Sequence, residues 1–78
     1  MREFTVSIRS FQDVKDFVSL ATIQPFRVLV GNGRQWVNAK SFMGMFSLDF
    51  RAPVRVRMDC TEVQYDCFHD QAAKFLAE

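Results

Sequence analysis

At 78 residues the chain has room for one domain, spanning 1–78, and a domain of this size buries only about 60% of the surface its unfolded form exposes. Apolar residues make up 49% and include nine Phe, enough for a core, while a net charge of +1 argues against a dominant role in binding polyanions. No apolar run approaches a membrane span, and two cysteines with one histidine in no ligand spacing give no basis for a metal or a cofactor.

Phe4, Val6 and Ile8 alternate with Thr5, Ser7 and Arg9, the pattern of a half-buried first strand. Ser10 then starts a helix, its side chain placed to accept the Asp13 backbone N–H. Val14, Phe17, Val18 and Ala21 repeat at i, i+3, i+4, i+7 and form its buried stripe. Thr22-Ile23-Gln24-Pro25 ends it, because the residue before proline avoids α geometry. A second strand runs from Phe26 to Val30. Gly31-Asn32-Gly33-Arg34 supplies positive-φ residues for a tight reversal, and a short third strand follows from Gln35 to Val37 or Asn38.

The stretch from about Ser41 to Leu48 reads as a short helix, with Asn38, Ala39 or Lys40 near its cap. It is apolar almost all round, and a helix of two turns has one core-facing stripe. Met45 and Leu48 share one face; Phe42, Met43 and Phe46 cluster on another. One set must stay at the surface. We take it to be Phe42, Met43 and Phe46, an exposed patch of the kind that docks partners.

After a loop over Asp49–Ala52, Val54, Val56, Met58 and Cys60 alternate with Arg55, Arg57 and Asp59 in a fourth strand, with Pro53 at its start. From Val63 to Ala77 the pattern is helical, with Val63, Cys67, Phe68, Ala72, Phe75 and Leu76 on one stripe. The order β-α-β-β-α-β-α predicts an α+β sandwich of two layers. Its open sheet face would carry Thr5, Ser7, Arg9, Arg27, Arg55 and Arg57. Charge is uneven: residues 1–57 hold nine Lys/Arg against four Asp/Glu, and residues 58–78 hold one against five. Cys60 and Cys67 read as reduced thiols of a cytoplasmic protein.

Asn38-Ala39-Lys40-Ser41-Phe42-Met43-Gly44-Met45-Phe46-Ser47-Leu48 resembles a segment of HPr, the histidine-containing phosphocarrier family of the bacterial sugar phosphotransferase system. The order of elements is similar over essentially the whole chain. The resemblance implies an HPr-like open-faced β-sandwich, with an antiparallel four-stranded sheet in order 1-4-2-3 and helices on one face. In Gram-positive members the serine matching Ser41 is phosphorylated by the HPr kinase, and the apolar residues after it dock onto partner proteins. This implies a regulatory site at Ser41 and a partner-binding surface of Lys40, Phe42, Met43 and Phe46, with Lys40 placed to help neutralise a phosphate. The partners implied are of phosphotransferase-system or transcription-regulator type; a homodimer through the same patch is an alternative occupant.

The chain departs from the family where the family's chemistry lies. The loop after the first strand is shorter and lacks the Gly-hydrophobic-His-x-Arg-Pro-Ala signature. Ser10 stands where the histidine would be, Gln12 at the arginine and Asp13 at the proline. Asp13 also puts a carboxylate in the first turn, where an added phosphate would be repelled. The residues thus describe a degenerate phosphocarrier site and a non-enzymatic, regulatory HPr-like protein. Two alternatives stand beside it. One is a phosphocarrier with a relocated acceptor, Ser10 or His69; their ordinary readings are an N-cap and a surface helix residue. The other is a nucleic-acid-binding module using Arg9, Arg27, Arg55 and Arg57. That ranks last, because scattered surface charge is ordinary and the strand aromatics, apart from Trp36, point to the core.

Overall fold

Alternating valines at Val54 and Val56, and Phe4 with Val6, give two strands one apolar face each, and these strands pair along their whole length. The computed structural model describes residues 1–77. Its elements are β1 (Arg2–Val6), α1 (Phe11–Thr22), β2 (Val28–Gly31), β3 (Trp36–Asn38), α2 (Phe42–Phe46), β4 (Val54–Met58) and α3 (Glu62–Gln71), then a 3-10 turn, Ala73–Phe75. The sheet is antiparallel in the order β1-β4-β2-β3. The α+β open-faced sandwich and its strand order match the sequence-based expectation.

The helices pack on one face. Val14, Phe17, Val18 and Ala21 of α1 are all buried, as their spacing predicted. They meet Val28, Val30, Val54, Val56 and Met58 from the sheet in one core. Ser10 caps α1 by accepting the Asp13 N–H at 3.1 Å. Thr61 caps α3 in a reciprocal capping box with Gln64, which fixes where that helix starts.

Several boundaries differ from the sequence reading. β1 covers Arg2–Val6 rather than 4–8, since its partner β4 begins at Val54, after a proline with no N–H to offer. The chain then changes partner: Ser7 donates to the Phe75 carbonyl at 2.7 Å. β2 starts at Val28, because Phe26 turns to pack its ring on Phe68, centroids 5.8 Å apart. β4 ends at Met58, and Cys60 lies beyond it, where burial pushes its thiol pKa up. α2 is shorter than expected, and its cap is Ser41 itself, whose Oγ accepts from Gly44 N–H at 3.2 Å. Asn38 instead turns the chain into it, its carbonyl accepting from Ser41 N–H.

The largest departure is the last helix. It stops at Gln71, and after the 3-10 turn Leu76 is extended and bridges Val6, while Ala77 N–H donates to Thr5 at 3.0 Å. Val63 and Cys67 face outward, not inward. The inward stripe is Tyr65, Phe68, His69 and Ala72, which also obeys i, i+3, i+4, i+7. His69 is therefore not a plain surface residue: its ring meets Phe4 edge-on at 5.4 Å and tilts against Tyr65 at 5.8 Å.

The two hairpin glycines do different jobs. Only Gly33 takes a positive φ, at 96°. Gly31 lies in β2 under the Trp36 ring, and an added Cβ would come within 2.6 Å of Trp36 Cδ2. Gly31→Ala should therefore destabilise the fold by about 1–3 kcal/mol through overpacking. Urea unfolding measures this, and the emission of Trp36, the sole tryptophan, should shift to longer wavelength as the ring is lifted. Wild-type values for both would show that the ring has room to spare.

Candidate functional site

α2 lies between β3 and a loop, and Gly44 lets it approach: a Cβ there would sit 3.3 Å from the Val37 Cβ. Seated this way, the helix turns Met45 and Leu48 into the core and leaves Phe42, Met43 and Phe46 exposed, Met43 by 83%. The apolar exposure does not end at α2. Phe11, at the first turn of α1, is 63% exposed and stacks on Phe46 with centroids 5.2 Å apart and planes 17° apart. Phe46 in turn stacks on Phe42 at 6.2 Å. The three rings form a ladder across the two helices, with the Lys15 ammonium 5.6 Å from the Phe11 ring centre.

Phe11 escaped the sequence reading. It lies one turn before Val14 on the α1 stripe, so its spacing resembles that of a core residue. At that turn the helix meets α2 instead of the core. The available signal was the helix start itself, since a Phe directly after the Ser10 cap has little helix beyond it to share its burial.

Ser41 borders the ladder, partly buried and held as the α2 cap. Lys40 does not reach toward it as expected. Its ammonium donates to the Gln24 carbonyl at 2.8 Å, at the carboxyl end of α1, which has no basic residue in its own last turn. A cation is favoured there by the helix dipole. Gln24 is buried and also donates from Nε2 to Leu20 O and Gln71 Oε1, both at 3.0 Å. Lys40 thus helps to close a polar knot joining α1, α3 and the approach to α2.

Ser10, Gln12 and Asp13 lie together at the start of α1, but each is engaged internally. Ser10 is the cap. Gln12 donates to Asp16 at 2.9 Å, and that bond, with Lys74, lowers the Asp16 pKa. The Asp13 carboxylate accepts the Arg9 backbone N–H at 3.1 Å, so the chain's own anion answers a free donor ahead of the helix. A shallow hollow of about 510 Å³ opens beside Ser10, Phe11, Phe50 and Arg51. Two arginines line it, Arg9 and Arg51, and Arg51 is already committed: it grips Asp49 through Nε at 3.0 Å and Nη2 at 2.7 Å. His69 lies on α3, packed on Phe4. Among the described residues no cluster of His, Cys, Asp or Glu could hold a metal ion.

This architecture, with its helices on one face of a 1-4-2-3 sheet, is the HPr-like fold. A crystal structure of HPr-C-His from Thermoanaerobacter tengcongensis is similar to it, with a TM-score of 0.76 at 24% identity, over 95% of this chain and 93% of that one. The likeness shows a shared fold. No family model matches the sequence, and no curated protein matches it. No helix among the described residues is long and apolar enough to cross a membrane.

The Arg51 side chain holds the Asp49 carboxyl down to about 2, chiefly by hydrogen bonding. Carbon-detected NMR titration should find that midpoint, and in Arg51→Ala it should rise toward the ordinary 3.8. Because the folded-state value is depressed, the pair's contribution is present above pH 3.8 and lost as pH falls through about 2. An unchanged midpoint in the variant would show that Arg51 is free to meet a ligand in the hollow.

Proposed function

We propose that this chain is an HPr-like regulatory or adaptor protein, related to the sugar phosphotransferase system but not a carrier of phosphoryl groups through a histidine. It docks partner proteins through Phe42, Met43 and Phe46, with Lys40 positioning the segment and Ser41 as a phosphorylation site beside the patch. Partners of phosphotransferase-system or transcription-regulator type fit the fold's relationship, and the protein would work in the cytoplasm. The observation that carries this reading is the stacked Phe11–Phe46–Phe42 ladder with Met43 beside it. A contiguous exposed apolar patch on a small domain is costly in water and characteristic of interaction surfaces. Stacked rings are already ordered, so docking on them sacrifices little side-chain freedom.

The start of α1 supports the non-carrier half of the reading. Ser10 stands at the cap, and Asp13 supplies a carboxylate where an incoming phosphate would need donors. A phosphate on Ser41 would set about −2 charge at the edge of the ladder and offer Lys40 an acceptor in competition with Gln24. That changes the character of the docking surface without requiring a change of fold.

Parallel phosphorylation tests the proposal. HPr kinase with ATP should add one phosphate at Ser41, whereas enzyme I with phosphoenolpyruvate should add none, both read by mass spectrometry. A phosphate from enzyme I on Ser10 or His69 would establish a relocated carrier instead. For the patch, Phe42→Ala and Phe11→Ala should each weaken binding to a captured partner about tenfold or more, with circular dichroism unchanged. Unaltered affinity in both would remove the ladder from the interface.

A further inference from the structure

The open face of the sheet, opposite the helices, carries a second organised surface. The register places Thr5, Arg55, Gly31 and Trp36 in one row across the four strands, and Glu3, Arg57, Leu29 and Asn38 in the next. Trp36 lies over Gly31, whose missing Cβ leaves the indole room to settle against the backbone. The Arg57 guanidinium lies over that ring, 4.1 Å from its centre. Glu3 anchors Arg57 from the other side, with its Oε2 3.1 Å from both Nε and Nη2. A carboxylate, a guanidinium and an indole are thus held in sequence across the sheet. Arg9, Arg34 and Arg55 enter no ion pair among the described residues. Arg9 lines a hollow of about 420 Å³ with Thr5, Ser7 and Pro53, at the same end of the sheet as the turn that carries Arg34.

We propose that this face binds single-stranded nucleic acid. A base stacks on the outer face of the Arg57 guanidinium, which itself rests on Trp36, and phosphates lie along Arg9, Arg34 and Arg55. Flat π and guanidinium surfaces accept bases of any identity, and unpaired arginines follow a phosphate backbone. A duplex fits less well, because its bases are already stacked on each other. The net charge of +1 argues against polyanion binding by the chain as a whole, but the charge is uneven: five of its nine acidic residues lie from Asp59 onward. Local potential governs encounter with a polyanion, not the total. Apart from Arg9, which also borders the hollow beside Phe11, this surface lies on the opposite side of the sheet from the aromatic ladder, and variants at Arg34, Arg55 and Phe42 test the two proposals independently.

The test uses the intact protein and a labelled oligouridine of about 12 nucleotides, within the range of a single small domain. At low salt, anisotropy should rise on binding while Trp36 emission is quenched. Log affinity should fall with log salt with a slope of about −2, as expected for three phosphates on a single strand. Arg55→Glu and Arg34→Glu, both at exposed positions, should each weaken binding about tenfold or more; Phe42→Ala should leave it unchanged. Inorganic polyphosphate should compete weakly and leave Trp36 emission alone. No binding at low salt overturns the proposal. So does polyphosphate binding as tightly as the oligouridine, a duplex of the same length binding as tightly as the single strand, or full affinity in both arginine variants.

Discussion

The Phe68 ring is the contact on which this small domain depends. It is fully buried, and Phe4 from β1, Phe17 from α1 and Phe26 from the approach to β2 all face it, with centroids 5.3, 6.2 and 5.8 Å away. Phe17 then meets Phe75 edge-on at 5.4 Å. One aromatic cluster therefore joins the first strand, both long helices and the closing turn. Edge-to-face pairs add about 0.5–1.5 kcal/mol each beyond their burial. In a domain with so little interior, the cluster sets the positions of α1 and α3, and α1 in turn brings Phe11 to Phe46. The exposed ladder depends on that buried cluster.

The sheet separates two kinds of surface. On the helical side, stacked Phe rings and Met43 offer apolar area with little charge, suited to a folded protein surface. On the open side Trp36 and Leu29 lie among Arg55, Arg57 and Glu3. Between them the Gln24 knot does structural work that a surface reading of Lys40 would miss. A lysine that the sequence leaves available for ligands instead satisfies a helix carboxyl end from outside the helix. Removing its charge would loosen the α1–α2 junction and disturb the ladder indirectly.

Much of this fold is legible in the sequence because period and capping agree there. Val14, Phe17, Val18 and Ala21 have one consistent solution, and so do Val54, Val56 and Met58. The short-helix argument for Phe42, Met43 and Phe46 succeeds because five residues cannot bury two faces. The last helix is harder, because two stripes at helical spacing compete. Val63 and Cys67 are apolar yet lie outside; Tyr65 and His69 are amphipathic yet pack inward, where rings bury well and their polar atoms reach the edge. Tyr65 donates its hydroxyl to the Glu3 carbonyl, a partner that helix spacing does not reveal. The stacking of Phe11 on Phe46 and the Lys40–Gln24 bond join elements far apart in sequence, and the seating of Trp36 on Gly31 depends on the register of the β2–β3 hairpin. Hydrophobic periodicity does not encode these contacts.

The topology also determines when this chain can fold. β1 is at the edge of the sheet, and among the described residues its strand partners are β4, beginning at Val54, and the bridge from Val6 to Leu76. As the chain is synthesised, β1 meets no strand partner among the described residues until Val54 and the residues after it have been made. α1 and the β2–β3 hairpin are available earlier, but neither can cover Phe4 and Val6. Both contacts of β1 are of long sequence separation, so loop closure must come before they contribute. The strand that completes the sheet is therefore an apolar segment whose pairing comes late, flanked by the charged residues Arg2, Glu3 and Arg9.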